Sequence, residues 1–105
     1  MILYHGSLET VATPRIMQRA FYRPLDFGTG FYATSSRDQA VRWVRNRLDY
    51  DAAAPRGCVN VYEFDEPGFA AIRRMKTYRL ANQFLFHTEA ALRFLSFRGA
   101  EEVAR

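Results

Sequence analysis

A chain of 105 residues has the length of one domain, and its 49% hydrophobic and 15% aromatic content can form a packed core, which excludes a disordered segment. The formal net charge of +4 favours binding to polyanions, such as nucleotides, nucleic acid or an acidic protein, without choosing among them. A single cysteine, Cys58, excludes an internal disulfide and a cysteine-based zinc cluster, and we expect a buried, inert thiol rather than a nucleophile.

The first residues carry no export or membrane signal. Residues 1–5 lead into a strand without a preceding basic segment, and no apolar run is long enough to span a bilayer. Together with the unpaired thiol, these features predict a cytoplasmic protein without membrane contact. We expect residues 1–105 to form a single domain, and a homo-oligomer stays open as an alternative to a monomer.

The N-terminus predicts a first strand over residues 2–5, ended by Gly6 and Ser7. Side chains alternate along a strand, so Leu3 and His5 are expected on the same face. His5 has two interpretations that local sequence leaves open. It is either a surface histidine at a turn or a polar group at the mouth of a cleft, where it donates to a sugar hydroxyl.

Residues 8–26 are less regular, with a short helix or turn predicted over 15–23 from apolar residues at helical spacing, and then a loop. Gly28 and Gly30 follow, and glycines let the backbone turn tightly and approach a ligand closely. The next strand, residues 31–34, places Phe31 and Tyr32 on opposite faces, so one ring can enter the core while the other lines a cleft. A Gly-X-Gly sequence is also typical of an ordinary turn or bulge.

A helix is predicted over residues 37–48. Ser36 and Gln39 have the spacing of a capping box, with Ser36 as the N-cap residue. Ala40, Val44 and Leu48 form its apolar stripe. Trp43 lies just beside that stripe, where it is either a partly buried residue at the edge of the core or a ring wall of a cleft beside Tyr32.

The second half of the chain predicts further strands and short helices without a regular βαβ rhythm, which favours an α+β fold over a doubly wound sheet. The predicted elements are a loop at 49–56, a strand at 57–64, a turn at 65–68, one or two helical turns at 69–75, a strand at 83–86, a helix at 89–95 with Thr88 as N-cap, and a last strand at 95–97.

Three segments taken together resemble a known superfamily. They are residues 4–7 (Tyr-His-Gly-Ser), 27–32 (Phe-Gly-Thr-Gly-Phe-Tyr) and 83–88 (Gln-Phe-Leu-Phe-His-Thr). Their order resembles the ADP-ribosyltransferase superfamily of the His-Tyr-Glu type, the branch that includes the poly-ADP-ribose polymerases. Within it, the chain is most similar to DUF3990, a bacterial family of small uncharacterised proteins, which also carries the Tyr-Glu-Phe-Asp segment of residues 62–65.

The resemblance implies small split antiparallel sheets with short helices, as in ADP-ribosyltransferases, and NAD+ as co-substrate. It implies three catalytic residues: His5 bonds to a ribose, Tyr32 packs against nicotinamide, and Gln83 occupies the position of the usual glutamate at the nicotinamide ribose. Gly6 would pair with the nicotinamide carboxamide, and Trp43 would be a second aromatic on that ring. The full set of implied NAD-binding positions is Gly6, Ser7, Gly28, Gly30 and Trp43, with no metal.

These residue types suit the chemistry. Aromatic walls can hold the flat, cationic leaving group, and fixed donors orient the riboses. A hydrogen bond to the ribose 2′-hydroxyl stabilises the positive charge that grows as the glycosidic bond breaks. The amide of Gln83 can accept that bond but cannot act as a general base, which favours a single transfer over chain elongation.

One feature departs from the family pattern. Residues 66–82 join the Tyr-Glu-Phe-Asp strand to the Gln-X-X-Phe-His-Thr strand, where the family has a longer segment with a Trp-Leu-Asp-Phe helix and a further strand. This predicts a shortened core with an uncovered sheet edge, and such an edge favours pairing with another chain.

The sequence supports three functional hypotheses. The first is an NAD-dependent mono-ADP-ribosyltransferase, the toxin of a bacterial toxin–antitoxin pair, with a protein or nucleic-acid acceptor and an antitoxin partner. The second is a shortened, non-catalytic relative that binds NAD or another nucleotide. The third is a basic α+β module that binds nucleic acid or a protein.

Overall fold

The structure, a computed structural model, describes residues 1–16, 30–71 and 77–105, with the backbone alone for 77–80. These residues confirm an α+β fold of antiparallel strands and short helices. The strands are β1 (Ile2–Ser7), β2 (Phe31–Thr34), β3 (Arg56–Phe64), β4 (Thr77–Leu80), β5 (Gln83–Phe86) and β6 (Leu95–Ala104), and the helices are α1 (Arg37–Tyr50), α2 (Glu66–Ala70) and α3 (Glu89–Leu92).

Among the described residues, the strands form one antiparallel sheet in the order β4-β5-β2-β1-β3-β6. β1 pairs with β3 along its whole length, from Ile2 to Ser7, and β3 pairs with β6 along its whole length. β1 and β2, in contrast, share a single register pair, Tyr4 with Thr34. The backbone ladder therefore consists of two three-stranded halves joined by one register pair, which is compatible with the split antiparallel arrangement expected from the sequence.

Helix α1 begins as predicted, because the Ser36 hydroxyl accepts a hydrogen bond from the Gln39 amide at 3.2 Å. The Gln39 side chain does not close the capping box on Ser36. It accepts from the Thr34 hydroxyl at 2.5 Å, and Thr34 Oγ1 in turn accepts from the Ser36 amide at 3.0 Å. The Thr34 hydroxyl thus links the N-terminus of α1 to the end of β2. It connects the Gln39 side chain to the Ser36 amide, which a capping box would join directly.

The two faces of the sheet carry different cores. The face opposite α1 holds an aromatic cluster, to which α2 and α3 contribute; its buried rings are Phe31, Tyr62, Phe64, Phe69, Phe84 and Phe86. The other face packs against the aliphatic stripe of α1, with Ala40, Val44, Leu48, Val59 and Val103.

Cys58 is free and buried, as predicted, and burial raises the pKa of its thiol.

Several element boundaries differ from the predictions, including the end of β1, which continues through Gly6 to Ser7. The turn predicted at 65–68 is the start of α2, where Asp65 caps the helix by accepting from the Gly68 amide, and a proline is tolerated in a first helical turn. α1 reaches Tyr50, whereas α3 ends at Leu92. β6 continues seven residues beyond the predicted end at Phe97, because β3 offers it a partner along its length, with a bulge opposite Val61 and Tyr62.

β4 was not predicted. It forms a hairpin with β5 through Ala81 and Asn82, so β5 is paired on both sides and β4 lies at the edge of the sheet. Predictions for residues 17–29, which include Gly28 and most of the 15–23 segment, and for 72–75 lie outside the described residues. No helix in the described part of the chain is long and apolar enough to cross a membrane.

Candidate functional site

The candidate site is the junction between β1 and β2. Met1 and Phe64 exchange both backbone hydrogen bonds, so the odd-numbered residues of β1 direct their N–H and C=O groups to β3. Tyr4 and Gly6 therefore direct theirs to β2. Tyr4 meets Thr34 there, but Gly6 has no register partner on β2 among the described residues. The polar backbone groups of Gly6 consequently lie where the described β1–β2 ladder has ended, a position that we call the gap between the two halves of the sheet.

The same argument applies from the side of β2. The Ser35 amide donates to the Asn82 carbonyl, so Ala33 and Phe31 direct their backbone groups to β5, and Tyr32 directs its own to β1. Tyr32 would lie opposite Gly6 if the register of the Tyr4–Thr34 pair continued. The described ladder instead stops at the Tyr4–Thr34 pair.

The His5 side chain bridges the gap. Its Nδ1 lies 2.6 Å from the Tyr32 carbonyl oxygen, which can only accept, so Nδ1 carries the proton. The half-buried ring also stacks on Phe31, with centroids 4.2 Å apart. Burial lowers the pKa of His5 from its ordinary value of 6.5, and the hydrogen bond to Tyr32 opposes that shift only in part. The neutral ring then leaves Nε2 as an acceptor, suited to an incoming hydroxyl.

Two residues that the sequence analysis did not single out hold this histidine in place. Asn60 is fully buried, and its amide donates to the carbonyl oxygens of His5, at 3.2 Å, and Glu9, at 3.3 Å. Its Oδ1 accepts from the Val11 amide, and the Tyr62 hydroxyl donates to the Val11 carbonyl. The end of β1 and the segment after it are thus fixed from β3. The available signal was an asparagine between two valines in a predicted strand.

Gly6 lies under α1. A Cβ built on it would be 2.6 Å from the Ala40 carbonyl oxygen and 2.9 Å from Val44 Cγ2, so helix packing alone requires glycine here. The same position is 3.4 Å from Trp43 Cβ. The structure therefore brings Trp43, which is half-buried, next to Gly6, as both of its sequence interpretations allow.

Tyr32 and Gln83 lie on the α1 face of the short half. Tyr32 follows the alternation from Thr34, and it is half-buried, whereas Phe31 is in the core on the other face, as predicted. Leu85 is the register partner of Tyr32, and Gln83 is the partner of Thr34. Gln83 is therefore a diagonal neighbour of Tyr32, at about 7–8 Å in Cα separation. His5 reaches this group only through the Tyr32 backbone.

The remaining predicted positions have local roles. The Ser7 hydroxyl accepts from the Glu9 amide at 3.3 Å, in a turn after β1. A Cβ on Gly30 would lie 2.7 Å from the Phe86 carbonyl oxygen, so close packing on β5 requires that glycine. These contacts are structural, and none of them requires that Ser7 or Gly30 bind a ligand.

A groove of about 260 Å³ opens elsewhere, between the segment after β1 and the start of β3. Its lining residues include Leu8, Thr10, Arg56, Cys58 and Glu102. None of the residues predicted to contact NAD+ lines it. The groove and the junction are therefore separate features of the surface.

The comparison with family models decides the family. The model of a protein of unknown function (DUF3990) matches residues 1–73. The chain belongs to the DUF3990 family. The matched part spans the junction residues His5 and Tyr32 and ends before Gln83. No curated protein and no solved structure matches the chain.

Proposed function

We propose that this DUF3990 protein binds NAD+ at the β1–β2 junction and transfers ADP-ribose from it to an acceptor. The observation that carries the proposal is the hydrogen bond from His5 Nδ1 to the Tyr32 carbonyl, 2.6 Å long, across a gap where the strand ladder has stopped. Two of the three residues that the family resemblance assigns to NAD+ are in contact there, through the His5 ring and the backbone carbonyl of Tyr32. The superfamily itself stays a prediction.

The junction residues suit the parts of NAD+ in turn. The Nε2 of a neutral His5 can accept a hydrogen bond from a ribose hydroxyl. The N–H and C=O of Gly6 can form hydrogen bonds with the nicotinamide carboxamide. The rings of Tyr32 and Trp43 would hold the nicotinamide by stacking and cation–π attraction. The gap supplies polar backbone groups, and the flanking residues supply aromatic surface, as a small-molecule site requires.

In the proposed reaction the bond between ribose C1′ and the nicotinamide nitrogen breaks, nicotinamide leaves with the bonding electron pair, and the acceptor bonds to C1′ and loses a proton. Gln83 can accept a hydrogen bond from a ribose hydroxyl, but its amide does not take up a proton near neutral pH. The acceptor therefore loses its proton to a group of the acceptor itself or of its surroundings. The contribution of this chain is to position the reactants.

A second candidate function is NAD+ binding without transfer. The amide of Gln83, in place of a carboxylate, favours it, because an uncharged group stabilises a developing cation less than an anion does. Replacing Gln83 with Glu separates the two candidates. A transferase with Gln83 releases nicotinamide as it stands, whereas the non-catalytic binder releases it only after the substitution.

The test is incubation with nicotinamide-labelled NAD+. We expect slow nicotinamide release that is lost in His5→Ala and Tyr32→Ala and retained in Tyr50→Ala, a matched control whose side chain is 92% exposed on α1. Saturable NAD+ binding without release supports the second candidate. If NAD+ neither binds nor raises the melting temperature, both fail, and DNA or RNA binding with a steep salt dependence then supports a basic binding module.

We extend the proposal to a toxin that an antitoxin protein neutralises in a bacterial cell. The family resemblance implies a bacterial setting, and the net charge of +4 suits an acidic partner. Induced expression in a bacterium should arrest growth for the wild type and not for Tyr32→Ala at equal protein level. Equal growth of both cultures would contradict the toxin role and leave the NAD+ proposal standing.

A further inference from the structure

Two side-chain contacts fix how α1 is rotated over the sheet. Gln39 accepts from Thr34 of β2 at 2.5 Å, whereas Arg37 donates to Glu101 of β6 at 2.6 Å. One flank of the helix therefore faces the short half of the sheet, and the opposite flank faces β6. Residues spaced by four along a helix lie on one side, so the flank that Gln39 begins continues through Trp43 and Arg47.

The helix also advances along β1. The Ala40 carbonyl lies at Gly6, and Val44 reaches both Gly6 and Gly57, which in turn lies against the Ser7 carbonyl. Moving down α1 thus follows β1 toward its C-terminal end, where no pairing with β2 is described. Arg47 is one turn beyond Trp43 in that direction and on the flank that faces the gap.

Arg47 is exposed, and among the described residues no carboxylate forms an ion pair with it. Arg37 and Arg56, in contrast, pair with Glu101 and Glu102. The positive charge of Arg47 also reaches the His5 ring, where it adds to the effect of burial and lowers the pKa of the imidazole. This agrees with its position on the gap side of the helix.

We propose that Arg47 binds a phosphate of the dinucleotide, an inference that rests on the proposed NAD+ site. With nicotinamide at Tyr32 and Trp43 and a ribose at His5, the pyrophosphate would continue toward the open end of β1. An arginine there presents a planar fork of N–H donors that matches phosphate oxygens. Arg47 would then set a preference for ligands that carry phosphate over nucleosides that lack it.

The test is isothermal titration of wild type and variants with three ligands: NAD+, ADP-ribose and nicotinamide riboside, which has no phosphate. Arg47→Gln should weaken NAD+ and ADP-ribose binding by about 10-fold to 100-fold, the effect of losing a charge-assisted hydrogen bond. Nicotinamide riboside binding should change less than about twofold, because its contacts are unaltered. Arg45→Gln, an exposed arginine on the same helix, is the matched control and should bind all three like the wild type.

The outcomes separate the two proposals. If the wild type binds NAD+ and Arg47→Gln binds it equally well, the role of Arg47 is wrong and the NAD+ site stands. An equal loss for nicotinamide riboside would also overturn it, since the side chain would then act on the shape of the site. A wild type that binds none of the three ligands overturns the NAD+ site and the Arg47 inference together. The NAD+ affinity of Arg47→Lys, which keeps the charge, should lie between those of Arg47→Gln and the wild type.

Discussion

The two halves of the sheet are stabilised in different ways. β1, β3 and β6 are long and pair along their lengths, whereas β2, β4 and β5 have four residues each. The described core residues of the short half are mainly phenylalanines that pack into rings from β3 and α2. The long half therefore has more paired backbone and packs on α1, whereas the short half has shorter ladders and packs mainly through aromatic rings.

This difference is consistent with the short register between β1 and β2. Along the strands, β1 and β2 are linked by the Tyr4–Thr34 pair and by the hydrogen bond from His5 to Tyr32, while ring contacts such as that of Phe64 with Phe86 also join the two halves. Under the proposed function, the backbone of Gly6, which has no register partner on β2 among the described residues, binds the ligand there, and sites between packed units are common.

The largest expected effect comes from breaking the aromatic contact between the halves. Phe64 belongs to β3, is 2% exposed, and its ring lies 5.3 Å from Phe86 and 6.2 Å from Phe84 of β5. Phe64→Ala should lower the free energy of unfolding by about 3–5 kcal/mol. Hydrogen exchange should rise more in β5 than in β6. Val103→Ala, in the aliphatic core, is the control, and a uniform rise in both variants would contradict the contrast between the halves.

A pair of glycine substitutions sharpens the comparison at the junction. Gly6→Ala and Gly57→Ala both place a Cβ against Val44 and a backbone carbonyl, within 2.9 Å in each case. Each should lower the free energy of unfolding by about 1–3 kcal/mol in denaturant titrations, since α1 must move.

Only Gly6 faces the gap, so after correction for stability Gly6→Ala should weaken NAD+ binding more than Gly57→Ala does. Equal affinities for NAD+ in the two variants would place the ligand away from β1.

The hydrogen bond from His5 to Tyr32 and the partial burial of His5 predict a smaller effect, a pH dependence of the free energy of unfolding. The pKa of His5 is lower in the folded chain than its ordinary 6.5, so between these two values the unfolded state binds more protons. The free energy of unfolding should therefore fall as the pH drops below about 6.5. His5→Asn keeps an N–H donor near Tyr32 and should remove this part of the dependence. His87 is present in both proteins and cancels, so identical pH profiles would contradict a buried neutral His5.

The smallest expected effect is at the β4–β5 hairpin. Ala81 has a φ of 53°, a left-handed conformation that costs a residue with a Cβ about 1–2 kcal/mol. Ala81→Gly should raise the melting midpoint by the equivalent of at most about 1 kcal/mol, because the added freedom of glycine in the unfolded chain offsets part of the gain. Ala81→Val should lower it. A fall with glycine would contradict the positive φ.

Features determined by nearby residues could be predicted from sequence. The caps at Ser36 and Thr88, the strand at Phe31–Thr34 and the strand at Gln83–Phe86 follow from cap chemistry and alternation within a few positions. The DUF3990 family was also identified from its segments, and the family model confirms it.

Features that depend on residues distant in the chain could not be predicted from the sequence. β6 extends through charged residues to Ala104 because β3 lies beside it, and β4 exists by pairing with β5 without a strong turn dipeptide at Ala81 and Asn82. The contact of His5 with the Tyr32 carbonyl depends on where the β1–β2 ladder stops, which no local pattern encodes.

The most direct test compares two neighbouring amides by NMR hydrogen exchange, with and without NAD+. The His5 amide is directed to β3 and should exchange slowly in both samples, whereas the Gly6 amide faces the gap and should exchange fast in the free protein. We expect saturating NAD+ to slow the Gly6 amide at least about tenfold and leave the His5 amide unchanged. Saturable NAD+ binding with no change at Gly6 would contradict the account.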